Sequence, residues 1–339
     1  MTSGGRAALI GPFLTAVGWA DARRRTIAGD ASNRSYERLT RPDGATAILM
    51  DSPPDRGEDV RPFIGVADYL CGLGLSAPRL YHRDETQGLL LIEDLGDALF
   101  ARLMAADPAR QAPLYRAAAD VLVTLHGAPV MNLPLCDAEW LTGMMEPAFS
   151  WYAPQGGAET AAQVATLFLP FAQSVAEAEQ VVILRDYHAE NLLWLPDRLG
   201  AARVGLLDFQ DALIGHPAYD LVSILQDARR DVPEDVARET IQHYLAATGT
   251  DPDAFGRAYA ILGLQRNLRI LGIFARLCLR DGKSHYIDMI PRVWQHVQTN
   301  LRHPDLASLA ELLHTALPTP TPDFLNQLKS KCATIPDPS

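Results

Sequence analysis

Apolar residues recur at three- and four-residue intervals between positions 59 and 74, at Val60, Phe63, Ile64, Ala67, Leu70 and Leu73, and the run closes on Gly72 and Gly74. This period follows the turn of an α-helix, so the stretch predicts an amphipathic helix. The pattern on either side is different. Short β-type runs, Arg24 to Gly29, Ser35 to Thr40 and Ala45 to Met50, are separated by turn residues such as Pro42-Asp43-Gly44, and two more lie near 79–83 and 88–93. Runs this short, broken by Gly, Pro and Asp, predict antiparallel hairpins. The opening segment MTSGGRAALIGPFLTAVGWADARRR has apolar positions at helical spacing but no basic flank or small-residue cleavage site, so it reads as a surface helix.

Beyond Asp94-Leu95-Gly96-Asp97 helical periods dominate, which places the expected boundary between 1–95 and 96–339. From 98 to 178 the helices are divided by prolines, among them Pro108, Pro134 and Pro154. Long amphipathic runs then cover about 217–228, 233–248, 253–281 and 284–315, and the Pro-rich tail from Leu317 is expected to be loosely ordered. One β island interrupts the helices, with runs at Val181 to Leu184, Leu192 to Leu195 and Arg203 to Leu207. The expected class is therefore α+β, an N-terminal antiparallel sheet with a helix followed by a larger, mainly helical part.

Composition narrows the function classes. A chain of 339 residues exceeds the usual single core, which suits two lobes, and 48% hydrophobic with 21% charged residues is the balance of a soluble globular protein. The net charge of -11 argues against general nucleic-acid or anionic-membrane binding, since both need a basic surface. No uninterrupted apolar run approaches the roughly 20 residues that span a bilayer. Cys71, Cys136, Cys278 and Cys332 are widely spaced, which disfavours a zinc site or disulfide framework and suits a reducing cytoplasm. Neither repeats nor heptads give reason to expect an obligate protein partner. The only lysines are Lys283, Lys329 and Lys331, so the first 282 residues contain none.

Candidate chemistry concentrates in Arg185-Asp186-Tyr187-His188-Ala189-Glu190-Asn191 and, seventeen residues after Asn191, in Asp208-Phe209-Gln210-Asp211. Both segments follow strand-like runs. Phosphoryl transfer asks little covalent help of a protein. It needs a hydroxyl held in line with the transferred group and cations that neutralise the phosphate oxygens. Asp186 suits the base that orients the hydroxyl, while Asn191 and Asp208 offer a neutral and an anionic oxygen to Mg2+, a hard cation.

The D-x-x-x-x-N spacing of Asp186 and Asn191 matches the kinase catalytic loop, and Asp208-Phe209-Gln210 stands where protein kinases have D-F-G. The stretch LRDYHAENLLWLPD with VGLLDFQDALIGHPAYDLVSILQD resembles the aminoglycoside phosphotransferase and choline kinase-like family. Within it, the chain resembles the bacterial anomeric N-acetylmuramate/N-acetylglucosamine kinases of cell-wall recycling. The likeness runs from about 28 to 300, with its strong motifs in 181–227.

It implies a bilobal protein-kinase-like fold, with 1–95 binding nucleotide and 96–339 carrying catalysis and acceptor. It further implies an ATP- and Mg2+-dependent transferase acting on an alcohol group, here a sugar hydroxyl. Ser32, Asn33 and Arg34 fall in the polar turn that resembles the family's nucleotide loop, and Glu93 and Leu95 fall where the hinge meets adenine. Arg185 and Asp220 are expected to brace the catalytic loop. One departure is the strand Ala45 to Met50, which lacks the lysine that grips the α- and β-phosphates. Its work is expected of an arginine, Arg34 or Arg38, or of magnesium and backbone amides.

The acceptor is less legible. His188, Glu146, Trp151, Arg230 and Asn267 are candidate substrate contacts, and Arg229, Arg266 and Arg269 are further cations suited to an acidic sugar. Two other functions remain open at this point: phosphorylation of an aminoglycoside or another small molecule, and nucleotide binding without turnover, as in a pseudokinase.

Overall fold

The structure is a computed structural model that describes residues 3–27 and 33–335. Among these residues, nine strands run in chain order as β1 (Arg23–Ile27), β2 (Ser35–Thr40), β3 (Thr46–Asp51), β4 (Leu80–Asp84), β5 (Leu89–Glu93), β6 (Val181–Ile183), β7 (Leu192–Trp194), β8 (Val204–Leu206) and β9 (Leu213–Gly215). The chain gathers into two compact units, Met1–Ala128 with Ala189–Ala212, and Pro129–His188 with Leu213–Ser339. The expected boundary at 95/96 falls inside the first unit. Residues beyond it pair with the later segment of the same unit, as in the Leu99 to Leu193 bridge and the Ala101 N–H donating to the Ala189 carbonyl at 3.0 Å.

The first unit is built on an antiparallel sheet of order β1-β2-β3-β5-β4 with its helices α1 (Ser3–Ala16), α2 (Arg61–Gly72), α3 (Phe100–Ala106) and α4 (Gln111–His126). Strand alternation gives the sheet two different faces. Leu39, Ala47, Leu49, Leu89 and Leu91 point one way and pack with Ile10 and Leu14 of α1. On the opposite face, register sets Arg38 beside Ile48 and Ile48 beside Ile92, so these side chains line a common cavity. Buried Arg6 of α1 forms an ion pair with Asp51 at the end of β3.

The β island is not one sheet. β7 and β8 form a hairpin in the first unit, whereas β6 pairs with β9 in the second. β9 spans only three residues, too short for an alternation pattern to show in the sequence.

The second unit is mainly helical: α5 (Ala138–Gly143), α6 (Gly157–Ala176), α7 (Ala218–Leu225), α8 (Glu234–Thr248), α9 (Pro252–Leu279), α10 (Ile290–Leu301), α11 (Ala307–Ala316) and α12 (Pro322–Ser330). The 284–315 run divides because Pro291 and Pro304 lack the N–H that would continue a helix, and each instead sits near the start of a new turn. The tail is more ordered than expected. Thr321 caps α12 through its hydroxyl, the Tyr152 hydroxyl donates to the Pro318 carbonyl at 2.6 Å, and the Tyr152 ring meets Phe324 edge-on at 5.2 Å.

Three histidines of the second unit, His188, His216 and His296, are held below the usual imidazole value of 6.5 chiefly by burial, the last two at about 4. Unfolding therefore takes up protons as the pH falls from 6.5 towards about 4. Buried Asp220 acts in the opposite direction: its carboxyl is raised from 3.8 to about 7, so its contribution is full in acid and fades as the pH rises. Three imidazoles against one carboxyl give a net loss of stability on acidification through that window. Urea unfolding should show a lower midpoint at about pH 5 than at about pH 7. An equal or higher midpoint at the lower pH would contradict it.

Candidate active site

In the first unit, the β7–β8 hairpin positions Asn191 and Asp208. Leu192 pairs with Leu206, so the flanking residues Asn191 and Leu207 meet, and the Leu207 N–H donates to the Asn191 carbonyl at 3.0 Å. This register delivers Asp208 beside Asn191, with Asn191 Nδ2 3.3 Å from Asp208 Oδ2 and Gln210 Nε2 2.8 Å from Asp208 Oδ1. Asp208 adopts φ 58, a left-handed conformation that aspartate tolerates better than most side chains. Phe209 is fully buried and stacks on Phe63 of α2 with ring centroids 4.9 Å apart, which anchors the turn. Gly205 leaves little room for a side chain, because a Cβ there would lie 3.1 Å from both Leu193 and Leu95 and those side chains would have to give way by a few tenths of an ångström.

Asn191, Asp208 and Gln210 open into a cavity of about 340 Å³ that also includes Arg38, Glu93 and Leu95. The polar end and the apolar wall of Ile48 and Ile92 suit a phosphate-bearing aromatic ligand. As a magnesium site, the protein donors are one carboxylate and one amide carbonyl. Asn191 turns its Nδ2 to Asp208. Two hard oxygens fit an ion that takes its remaining ligands from phosphates and water.

Glu93 and Leu95 line the cavity wall, with the Glu93 carboxylate paired to Arg198 at 2.6 Å. Ser32 lies outside the described residues. Asn33 and Arg34 do not line the cavity. The Asn33 N–H donates to Glu58 Oε1 at 3.0 Å, and Arg34 pairs with Glu58 Oε2 at 2.7 Å. Arg38 does line the cavity, but its guanidinium is engaged by Asp94 at 2.7 Å and Asp97 at 2.6 Å. Gln210 carries no expected role in the sequence reading beyond its place in the motif, and its bond to Asp208 shows it holding that carboxylate.

In the second unit, Asp186 follows β6 on a loop that Asp220 braces. The Asp220 carboxylate, fully buried in the first turn of α7, accepts the Leu184 N–H at 2.6 Å and the Arg185 N–H at 2.9 Å. Ser223, one turn on, donates to the Arg185 carbonyl at 3.0 Å. Arg185 takes φ 67, a conformation with few uses for so bulky a residue except where the surrounding structure dictates it, and its guanidinium lies over the Trp140 ring at 5.2 Å. Asp220 and Ser223 thus hold the loop through its backbone. Asp186 and His188 open into one cavity of about 150 Å³. The chain passes to the first unit between His188 and Ala189.

The other acceptor candidates do not line the Asp186 cavity. Asn267 is fully buried and donates to Gln226 Oε1 at 2.7 Å and to the Gly263 carbonyl at 2.8 Å, in an amide cluster completed by Asn300. On a helix, Asn267 cannot share a face with Arg266, one residue away, and it turns into the core. Arg230 is paired with Asp227 at 3.0 Å and is absent from the Asp186 cavity, as are exposed Glu146 and half-buried Trp151. In their place the cavity holds Arg229, Arg266 and Arg269.

The profile of the phosphotransferase enzyme family matches residues 23–258. A Caulobacter vibrioides protein named N-acetylmuramate/N-acetylglucosamine kinase is 38% identical over 91% of this chain and 96% of its own length. A Pseudomonas aeruginosa protein of the same name is 32% identical over 89% of this chain and 91% of its own. Among solved structures, a choline/ethanolamine kinase family protein from Mesorhizobium loti superposes with a TM-score of 0.63 at 15% identity, over 93% of this chain and 99% of that one, a likeness of fold. Among the described residues no helix is long and apolar enough to cross a membrane. A kinase-type fold, a D-x-x-x-x-N loop followed by a strand-ending aspartate, and relatives matched over nine-tenths of their length agree, and the chain belongs to the phosphotransferase enzyme family, as an ATP-dependent enzyme acting on hydroxyl groups.

Proposed function

We propose that this protein transfers the γ-phosphoryl group of ATP to the anomeric C1 hydroxyl of N-acetylmuramate or N-acetylglucosamine, in the cytoplasm, within peptidoglycan recycling. The observation that carries the reading is the braced loop that presents Asp186 to a cavity of its own unit. The names of the relatives supply the sugar.

In this reading Asp186 orients the C1 hydroxyl and accepts its proton as the bond to phosphorus forms. An anomeric hydroxyl is more acidic than an ordinary alcohol, so a carboxylate is an adequate base when the hydroxyl is well positioned. Asn191 and Asp208 would hold Mg2+, which when bound neutralises charge on the phosphate oxygens. Gln210 keeps the Asp208 carboxylate turned to its task. Glu93 and Leu95 offer backbone groups to the adenine.

The missing strand lysine is replaced, in this account, by Arg34. Both candidate arginines are paired with carboxylates, Arg38 at the cavity wall with Asp94 and Asp97 and Arg34 outside it with Glu58; Arg34 is preferred because it follows the polar turn directly and is held by a glutamate, as the strand lysine of other kinases is. Arg34→Ala and Glu58→Gln should each raise the apparent KM for ATP severalfold, with little change in the acceptor KM. An unchanged nucleotide KM in both variants would remove the pair from the site.

The function as a whole is tested by ADP release with ATP, Mg2+ and each of N-acetylmuramate, N-acetylglucosamine and an aminoglycoside. Release is expected with an amino sugar and not with the aminoglycoside. The opposite pattern would overturn the assignment.

A further inference from the structure

The cavity beside Asp186 holds more positive charge than its neighbours balance. Its second acid, Asp227, is already spent: its side chain is 1% exposed, it pairs with Arg230 at 3.0 Å, and it accepts the Arg229 N–H at 2.9 Å. Arg229, Arg266 and Arg269 form no ion pair among the described residues. Arg266 is only 7% exposed, and the Nε atoms of Arg266 and Arg269 are buried without a hydrogen-bond partner. Buried guanidinium donors are costly to leave unmatched, and such groups in a cavity imply an anionic ligand. The local field supports this: after burial, the three arginines at 229, 266 and 230 are what hold the His188 imidazole well below its usual value. Arg269 is itself lowered, by burial first and then also by its cationic neighbours.

We infer that Arg229, Arg266 and Arg269 form an anion subsite for a carboxylate carried by the acceptor sugar. The inference rests on the sugar-kinase reading and adds to it a preference between acceptors. N-acetylmuramate differs from N-acetylglucosamine by a lactyl ether whose carboxylate matches the fork of a guanidinium, while the neutral sugar offers the arginines no charge. Positions 266 and 269 are three apart on α9, so both side chains leave the helix on one face, and Arg229 comes from the segment after α7.

The test compares kcat/KM for the two sugars in the wild-type protein, Arg266→Met, Arg269→Gln and Arg229→Gln. The ratio favouring N-acetylmuramate should fall on the order of tenfold or more in the variants, mainly through its KM. Arg229 is exposed, so its replacement does not depend on refilling a buried space. The methyl ester of N-acetylmuramate supplies a second arm without any substitution, and its KM on the wild-type protein should rise to a similar extent. An unchanged ratio with an unchanged ester KM would overturn the subsite, as would equal losses on both sugars, which would assign the arginines to the transferred phosphoryl group. Wild-type protein that phosphorylates neither sugar would instead defeat the underlying function.

Discussion

Replacing Asp186 with asparagine is expected to lower kcat on the amino sugar by about 10²- to 10⁴-fold, the range over which a positioned general base contributes. The substitution keeps shape and hydrogen-bonding capacity but removes the charge that draws the proton from the hydroxyl. Asp186 is half-buried, and its loop is fixed by backbone bonds to Asp220 and Ser223, so the loss should fall on chemistry and not on folding. Apparent KM for ATP should stay within about twofold, because the nucleotide contacts are assigned elsewhere. Steady-state kinetics with the sugar varied at saturating ATP reads both quantities. A kcat close to wild type would show that Asp186 serves only to shape the loop.

The second large effect is expected at Asp208. Asp208→Asn removes the one anionic group of the two proposed magnesium ligands and leaves Asn191 with a neutral neighbour. Activity should drop by roughly 10²- to 10³-fold, with a higher Mg2+ concentration needed for half-maximal rate. A magnesium titration at fixed ATP separates this outcome from a general loss of stability. Phe209 remains stacked on Phe63 in the variant, so the turn should persist. A wild-type magnesium requirement in Asp208→Asn would assign the ion to other ligands.

Much of this was legible from residue pattern. The α2 period, the hairpin turns of the first sheet and the paired motifs at 186–191 and 208–211 agree between local propensity and final structure. The loop between β6 and Asn191 was readable because strands must end for a carboxylate to emerge, and Val181 to Leu184 ends abruptly on charged residues. What escaped is long-range. Three-residue strands such as β9 carry no period, so the pairing of β6 with β9 and of β7 with β8 could not be told from the chain. Helix phase decides which candidates reach the Asp186 cavity: Asn267 and Arg266 are adjacent in sequence, yet one closes a buried amide cluster with Gln226 and Asn300 while the other lines that cavity. Arg230 looked as suitable as Arg229 until Asp227 claimed it. The tail at α12 is ordered by Tyr152, a partner more than 150 residues away, which no local composition announces.

Phosphorus NMR of the product formed from ATP, Mg2+ and N-acetylmuramate tests the central claim most directly. The predicted result is a new phosphomonoester signal coupled to the anomeric proton, with none formed from the sugar reduced at C1. A phosphoryl group found at C6, or no sugar phosphate from either amino sugar, would contradict it.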